Sequence, residues 1–180
     1  MIEKMNQEQF LVEIKQLRCN ADLHRRYYAE QTRKYSRIDY WLKSGIGFFA
    51  LAGVVLAGIP ETRIYGAILA SGCAFVMANV IPNFKWDSIV SGFASEEQEW
   101  TKIFYGYEDL IRVAEISERG EILIQEFQKV REMQKTAALN DRHLPVNKRL
   151  FDEKDTEVRE YYNLPEDPYE PIVNKGAKSD

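Results

Sequence analysis

Side chains capable of covalent or metal chemistry are few and scattered. The two histidines, His24 and His143, lie in separate regions, and neither has a metal-ligating companion at useful spacing. The two cysteines, Cys19 and Cys73, sit in very different surroundings, which excludes a disulfide-stapled secreted fold. The chain contains no Gly-rich phosphate loop, no His-Glu-x-x-His, no Cys-x-x-Cys and no Gly-x-Ser-x-Gly nucleophile turn. Acidic residues are plentiful but read as solvated helix faces. The expectation is therefore a protein that is not an enzyme, with no catalytic residue, no cofactor and no metal. An enzyme acting on lipids or nucleotides is the least supported reading.

The remaining spacing that carries chemistry is that of small residues. Gly66, Ala70, Ala74 and Ala78 recur at every fourth position, and Gly47, Ala50, Gly53 and Ala57 form a looser set. Small residues at this spacing let helices approach closely in lipid, where van der Waals packing replaces the hydrophobic drive. These faces either pack a hairpin against itself or pack it against neighbouring copies. Asn79 is the only strongly polar side chain well inside either of the apolar stretches that hold these sets, and it either lines a pore or ties two helices together, the tie being the expected role.

Both sets lie in stretches free of charge. Ser44–Pro60 has seventeen such residues and Ile64–Phe84 twenty-one, separated only by Glu61, Thr62 and Arg63. As α-helices they span ~25 Å and ~31 Å, against a hydrocarbon core of ~30 Å. A pair of buried helices in a soluble bundle is the alternative, but core helices usually keep a polar stripe, and neither stretch has one. The spacing predicts a transmembrane hairpin with spans at about 44–60 and 64–82. No ionisable residue lies inside either span, so a proton relay or voltage sensor has no support.

The flanks set the expected orientation. Residues 1–43 carry nine basic and six acidic side chains, whereas residues 85–180 carry fourteen and twenty-one, within an overall net charge of −4. Arg25, Arg26, Arg33, Lys34, Arg37 and Lys43 precede the first span, Lys85 follows the second, and the turn holds only Arg63. By the positive-inside rule both termini are cytoplasmic in a multi-pass protein of the cell inner membrane. Arg37, Trp41 and Lys43 before the first span, and Lys85 and Trp86 after the second, are the expected membrane-interface residues. The basic cluster either binds a phosphate-bearing signal or, as expected, orients the chain and touches anionic lipid. The mild net charge gives no reason to expect direct nucleic-acid binding.

Residues 1–43 contain neither Gly nor Pro, and Phe10, Ile14, Leu17, Ala21, His24, Tyr28, Gln31, Tyr35, Ile38 and Leu42 follow a 4-3-4-3 repeat. This predicts one long helix from about Gln7 into the first span, with His24 as a polar seam residue more than a pH switch. Ser95-Glu96-Glu97-Gln98 resembles a capping box at the start of an amphipathic helix through Trp100, Ile103, Phe104, Tyr107, Ile111 and Ala114. The pattern breaks around Ser117–Gly120 and resumes with Leu123, Phe127, Val130 and Met133. Another short helix is expected near Asp152–Tyr162. The fold class is thus an all-α membrane protein, a two-helix transmembrane hairpin continuous with a cytoplasmic helical bundle. Its parts are an N-terminal helix (1–43), the hairpin (44–84), cytoplasmic helices (85–162) and a flexible tail (163–180).

The run AEQTRKYSRIDYWLKSGIGFF into the first span, the short hairpin, and NFKWDSIVSGFASEEQEWTKIFYGYEDLIR after the second resemble the SLATT family over about residues 20–135. These are SMODS- and SLOG-associating two-transmembrane effectors. The resemblance implies a pore-forming effector of prokaryotic antiviral defence that acts on the membrane as a homo-oligomer. It implies a cytoplasmic sensor or nucleotide-signalling partner as trigger, because the chain carries no sensor domain of its own. The competing reading is a non-conducting, membrane-anchored helical scaffold that recruits a soluble partner.

Overall fold

The structure is a computed structural model that describes residues 7–84, 86–116, 120–140 and 144–164. Among the described residues every regular element is helical. α1 spans Gln7–Ala57 and α2 Arg63–Phe75, and α2 passes directly into a π-helical turn (Val76–Val80) and a 3-10 turn (Ile81–Phe84). α3 covers Trp86–Ile116, α4 Gly120–Asn140 and α5 Lys148–Tyr161. α1 is 51 residues long because no proline interrupts it and its glycines cost only about 1 kcal/mol each. It ends where Gly58 and Pro60 follow.

The chain divides into two compact units, one of Met1–Tyr28 with Glu96–Asp180 and one of Ala29–Ser95. In the first unit the predicted seam of α1 is buried at Phe10, Ile14, Ala21 and Tyr28. From α3 come Trp100, Ile103, Tyr107 and Ile111, and from α4 come Leu123, Phe127 and Val130, all buried. Phe127 meets the Phe10 ring edge-on at 5.1 Å, and the Tyr107 hydroxyl donates to Gln134 at 2.5 Å. His24 is stacked on Trp100 at 4.1 Å, a seam position filled by a flat aromatic contact.

α5 is fastened at both ends. The Asn147 side chain accepts from the Leu150 amide at 3.2 Å, a helix N-cap, and the Asn147 amide donates to the Tyr27 hydroxyl at 2.9 Å. At the other end Asn163 takes a left-handed φ of 52°. The Asn163 amide donates to the Glu160 carbonyl and the Leu164 amide to that of Arg159, which is the Schellman pattern. Leu164 and Val158 then join Cys19, Leu23, Phe151 and Tyr162 in one apolar cluster. Burial pushes the Cys19 thiol up, so this cysteine packs and is not poised as a nucleophile.

In the second unit α1, and α2 taken with the π-helical turn (Arg63–Val80), each hold an 18-residue window, of mean hydropathy 1.5 and 1.4, long and apolar enough to cross a membrane. Only 6% of each window is buried. That separates them from the core helices of a soluble bundle, which are buried by definition of a core. The Tyr35 ring stacks on Phe93 at 5.2 Å and meets Trp86 at 5.7 Å, which brings the first turns of α3 against α1.

Two expectations change at helix ends. α3 runs through Ser95 without a start there, because Trp86, Ile89, Val90 and Phe93 extend the apolar repeat upstream and no breaker intervenes. α5 begins four residues earlier than expected, where Asn147 supplies the cap. Lys85, His143 and the tail beyond Leu164 lie outside the described residues. Phe127 is 1% exposed, so Phe127→Ala should lower unfolding free energy by about 3–5 kcal/mol. Denaturant unfolding of the detergent-solubilised chain, followed by circular dichroism, measures this.

Candidate functional site

The residues that join α1 to α2 are those without side chains. A Cβ placed on Gly53 would lie 2.7 Å from the Ala70 amide nitrogen, and one placed on Gly66 would lie 2.6 Å from the Gly53 carbonyl oxygen. Its nearest neighbour would be the Ala57 backbone. Both obstacles are backbone, which cannot rotate away as a side chain tip can. Gly53 and Gly66 are buried and Ala70 is half-buried, so two helices lie antiparallel in backbone contact, Gly53 beside Ala70 and Ala57 beside Gly66. The turn between them satisfies the last carbonyls of α1. The Gly58 amide donates to Val55, and the Ile59 amide and Thr62 hydroxyl both donate to Leu56, the hydroxyl at 2.8 Å.

The four-residue stripe divides at this seam. Gly66 and Ala70 meet α1, while Ala74, Ala78 and Asn79 are exposed. Each step of four residues drifts about 40° around an α-helix, so a strict repeat leaves the contact face within two or three steps. The half-buried face continues instead through Cys73 and Val76. On α1, Ala50 and Ala57 are half-buried whereas Gly47 faces open space. Among the outward residues, Ala67, Ser71 and Ala74 on α2 and Ala78 in the π-helical turn form a second file of small residues.

Polar side chains on α2 and the two turns that follow it return their donors to their own backbone. Ser71 donates to the Ala67 carbonyl and Asn79 to that of Phe75 at 3.2 Å, and Asn83 donates to that of Asn79 at 2.5 Å. Among the described residues the Asn79 amide thus bonds to its own helix. Its donor serves the π-helical turn, where the backbone widens ahead of residue 82, a proline that offers no N–H to an α-helix.

The basic residues fall into two groups that the sequence does not distinguish. Asp22 is fully buried and accepts from Arg25 at 2.6 Å, Arg26 at 3.0 Å and the Tyr162 hydroxyl at 3.2 Å. Arg25 lies over the Phe104 ring and Arg26 over Tyr161, while Arg18 covers Tyr162 and pairs with Glu108 at 2.8 Å. A buried carboxylate needs such partners, so Arg25 and Arg26 are spent on Asp22, and Arg26 also pairs with Glu157 of α5. The signal for this cluster was the Asp22, Arg25, Arg26 spacing, i to i+3 and i+4. Arg33, Lys34 and Arg37 are exposed.

The expected interface residues separate in the same way. Arg37 and Trp41 are exposed, Trp41 to 68%. Lys43 is half-buried and bridges Asp39 at 2.8 Å and Asp87 at 3.0 Å, and Trp86 is half-buried against Tyr35. A groove of about 810 Å³ between α3 and α4 has Ile103 and Met133 in its lining. Glu99, Lys102, Lys129 and Glu132 also line it, and their formal charges cancel. Among the described residues no group of three or more His, Cys, Asp or Glu is placed to hold a metal. The chain matches no family model, no curated protein and no solved structure.

Enlarging the seam should open the hairpin. Gly66→Leu is expected to cost about 1–3 kcal/mol or more, whereas Ala74→Leu, on open surface, should leave the melting temperature in detergent nearly unchanged. The phenols give a second test. Burial and the Asp22 carboxylate push Tyr162 up to about 12, and burial pushes Tyr107 up to about 12. An unfolded phenol titrates near ~10. The raised folded value therefore adds stability that is full below about pH 10 and is lost as pH rises through about 12. Tyr162→Phe and Tyr107→Phe should each remove one late-titrating phenolate, read by absorbance at alkaline pH.

Proposed function

We propose that this chain is a multi-pass protein of the prokaryotic inner membrane whose hairpins assemble side by side, forming a pore or perturbing the bilayer when a cytoplasmic partner is triggered. Antiviral defence is the setting that the SLATT resemblance implies. The supporting observation is the surface left after the hairpin closes. Phe48, Leu51, Val54, Val55, Ile64, Ile68 and Phe75 are more than half exposed, an apolar expanse far larger than monomeric soluble proteins present to water. Lipid suits the large side chains. The outward file Ala67, Ser71, Ala74 and Ala78 suits close approach of another helix.

Orientation in this reading follows the bases. Arg33, Lys34 and Arg37 lie ahead of the first span, against Arg63 alone at the turn, which puts both termini in the cytoplasm. The helices of Met1–Tyr28 and Glu96–Asp180 then form a cytoplasmic bundle, and α1 belongs to it and to the hairpin alike. The role is non-catalytic. A second reading, the non-conducting anchor for a helical scaffold, is favoured by one observation: the contact at Gly53 and Gly66 is completed within a single chain.

Ala70 is a poor site for testing assembly, because its backbone belongs to the hairpin seam. Ala74→Leu and Ala78→Leu are the better variants. Induced expression in bacteria should depolarise the membrane before growth stops, and both variants should abolish this while remaining membrane-inserted. Depolarisation retained in both variants contradicts a pore built on this face. An intact potential in the unaltered chain, even with genomic neighbours co-expressed, favours the anchor.

A further inference from the structure

We propose that the outer face of α1 from Arg33 to Trp41 is a binding surface for anionic lipid headgroups. The inference rests on the membrane reading above and adds the chemical class of lipid. Arg33, Lys34, Arg37, Tyr40 and Trp41 share an arc of about 120° on the helix, and all five are exposed. The same arc continues into Ser44, Phe48, Leu51 and Val55, also exposed. One helix side thus passes from basic to aromatic to apolar without interruption. The opposite side is occupied by protein, with Tyr35 stacked on Phe93 and Asp39 paired with Lys43.

The order matches the layers of a leaflet. If Ser44 stands at the edge of the hydrocarbon, Trp41 and Tyr40 lie about 5–6 Å outside it, in a headgroup layer of roughly 5–8 Å. Arg37 lies about 10 Å out, within reach of phosphate through its long side chain, and Arg33 and Lys34 lie about 15–17 Å out, where they act through the negative surface potential. Charge is available there. Among the described residues Lys34 and Arg37 take part in no ion pair, and the Arg33–Glu30 pair at 3.2 Å is solvent-exposed and weak. The bases that sequence places beside them, Arg25 and Arg26, are committed to Asp22.

The test uses the purified full chain in a neutral maltoside detergent, titrated with dansyl-labelled phosphatidylglycerol or phosphatidylcholine and read by energy transfer from tryptophan. Each base beside an anionic surface contributes on the order of a fivefold preference. Phosphatidylglycerol should therefore bind at least about tenfold more tightly at low salt, with the preference shrinking as salt rises. The variant Arg33→Gln, Lys34→Gln, Arg37→Gln should reduce it to about twofold or less. Arg112→Gln, Lys129→Gln, Lys135→Gln removes the same charge from exposed positions on α3 and α4 and should preserve it. Equal binding of the two lipids, or equal loss in both variants, overturns the proposal. Displacement of the lipid by an equal concentration of glycerol phosphate also overturns it, in favour of a soluble phosphate ligand. Carbonate extraction of membranes runs alongside. A chain retained in the membrane without lipid preference refutes the headgroup surface alone, whereas a chain that is extracted refutes the membrane reading with it.

Discussion

Two backbones meet at Gly53 and Gly66, and the second unit is organised by that contact. Helices surrounded by apolar solvent gain nothing from hiding their apolar side chains, so their association depends on how closely atoms can pack. Removing the side chain from both partners allows the Gly66 backbone to approach the Gly53 carbonyl and the Ala57 amide. Large residues such as Phe48, Leu51, Val54, Ile64, Ile68 and Phe75 are thereby turned outward. The short turn through Gly58 and Thr62 follows from the same approach, since two helices this close can be joined by only a few residues.

Both units return side-chain donors to carbonyls one turn back, Thr101, Thr136 and Thr156 doing so in the first, but the first also buries a charged cluster. In Ala29–Ser95 the hydroxyl of Ser71 and the amides of Asn79 and Asn83 bond to carbonyls one turn back. In the proposed membrane setting no water is at hand, so a donor on an exposed face finds its acceptor on its own helix. In the other unit Asp22 is buried at the meeting of α1 and α5 and draws two arginines and a tyrosine onto itself. Removing both arginines would leave the buried carboxylate uncompensated, and removing Tyr162 would take away the hydrogen bond from the end of α5, which makes the cluster a determinant of how α5 docks and not a surface feature.

Helix extent was legible in the residues. Proline-free and nearly glycine-free sequence from Gln7 onward leaves α1 no place to stop before Gly58, and the period of Phe10, Ile14, Ala21 and Tyr28 identified the side that is buried. Charge-free length likewise marked both membrane-length stretches. The small-residue stripe was legible only in part. Its members share a spacing of four, but a helix turns every 3.6 residues, so Ala74 and Ala78 rotate away from the contact that Gly66 and Ala70 make.

Tertiary structure alone decided the fate of the charges. Arg25, Arg26, Arg33, Lys34 and Arg37 look alike in the sequence, a single basic cluster ahead of an apolar span. Folding brings Tyr162 and Glu157 from α5 and its end beside the first two and leaves the last three exposed. Local sequence determines which residues share a face of a helix, because that depends only on the rise and turn of one backbone. Which face meets protein depends on contacts between residues more than a hundred positions apart, and these exist only once the chain has packed.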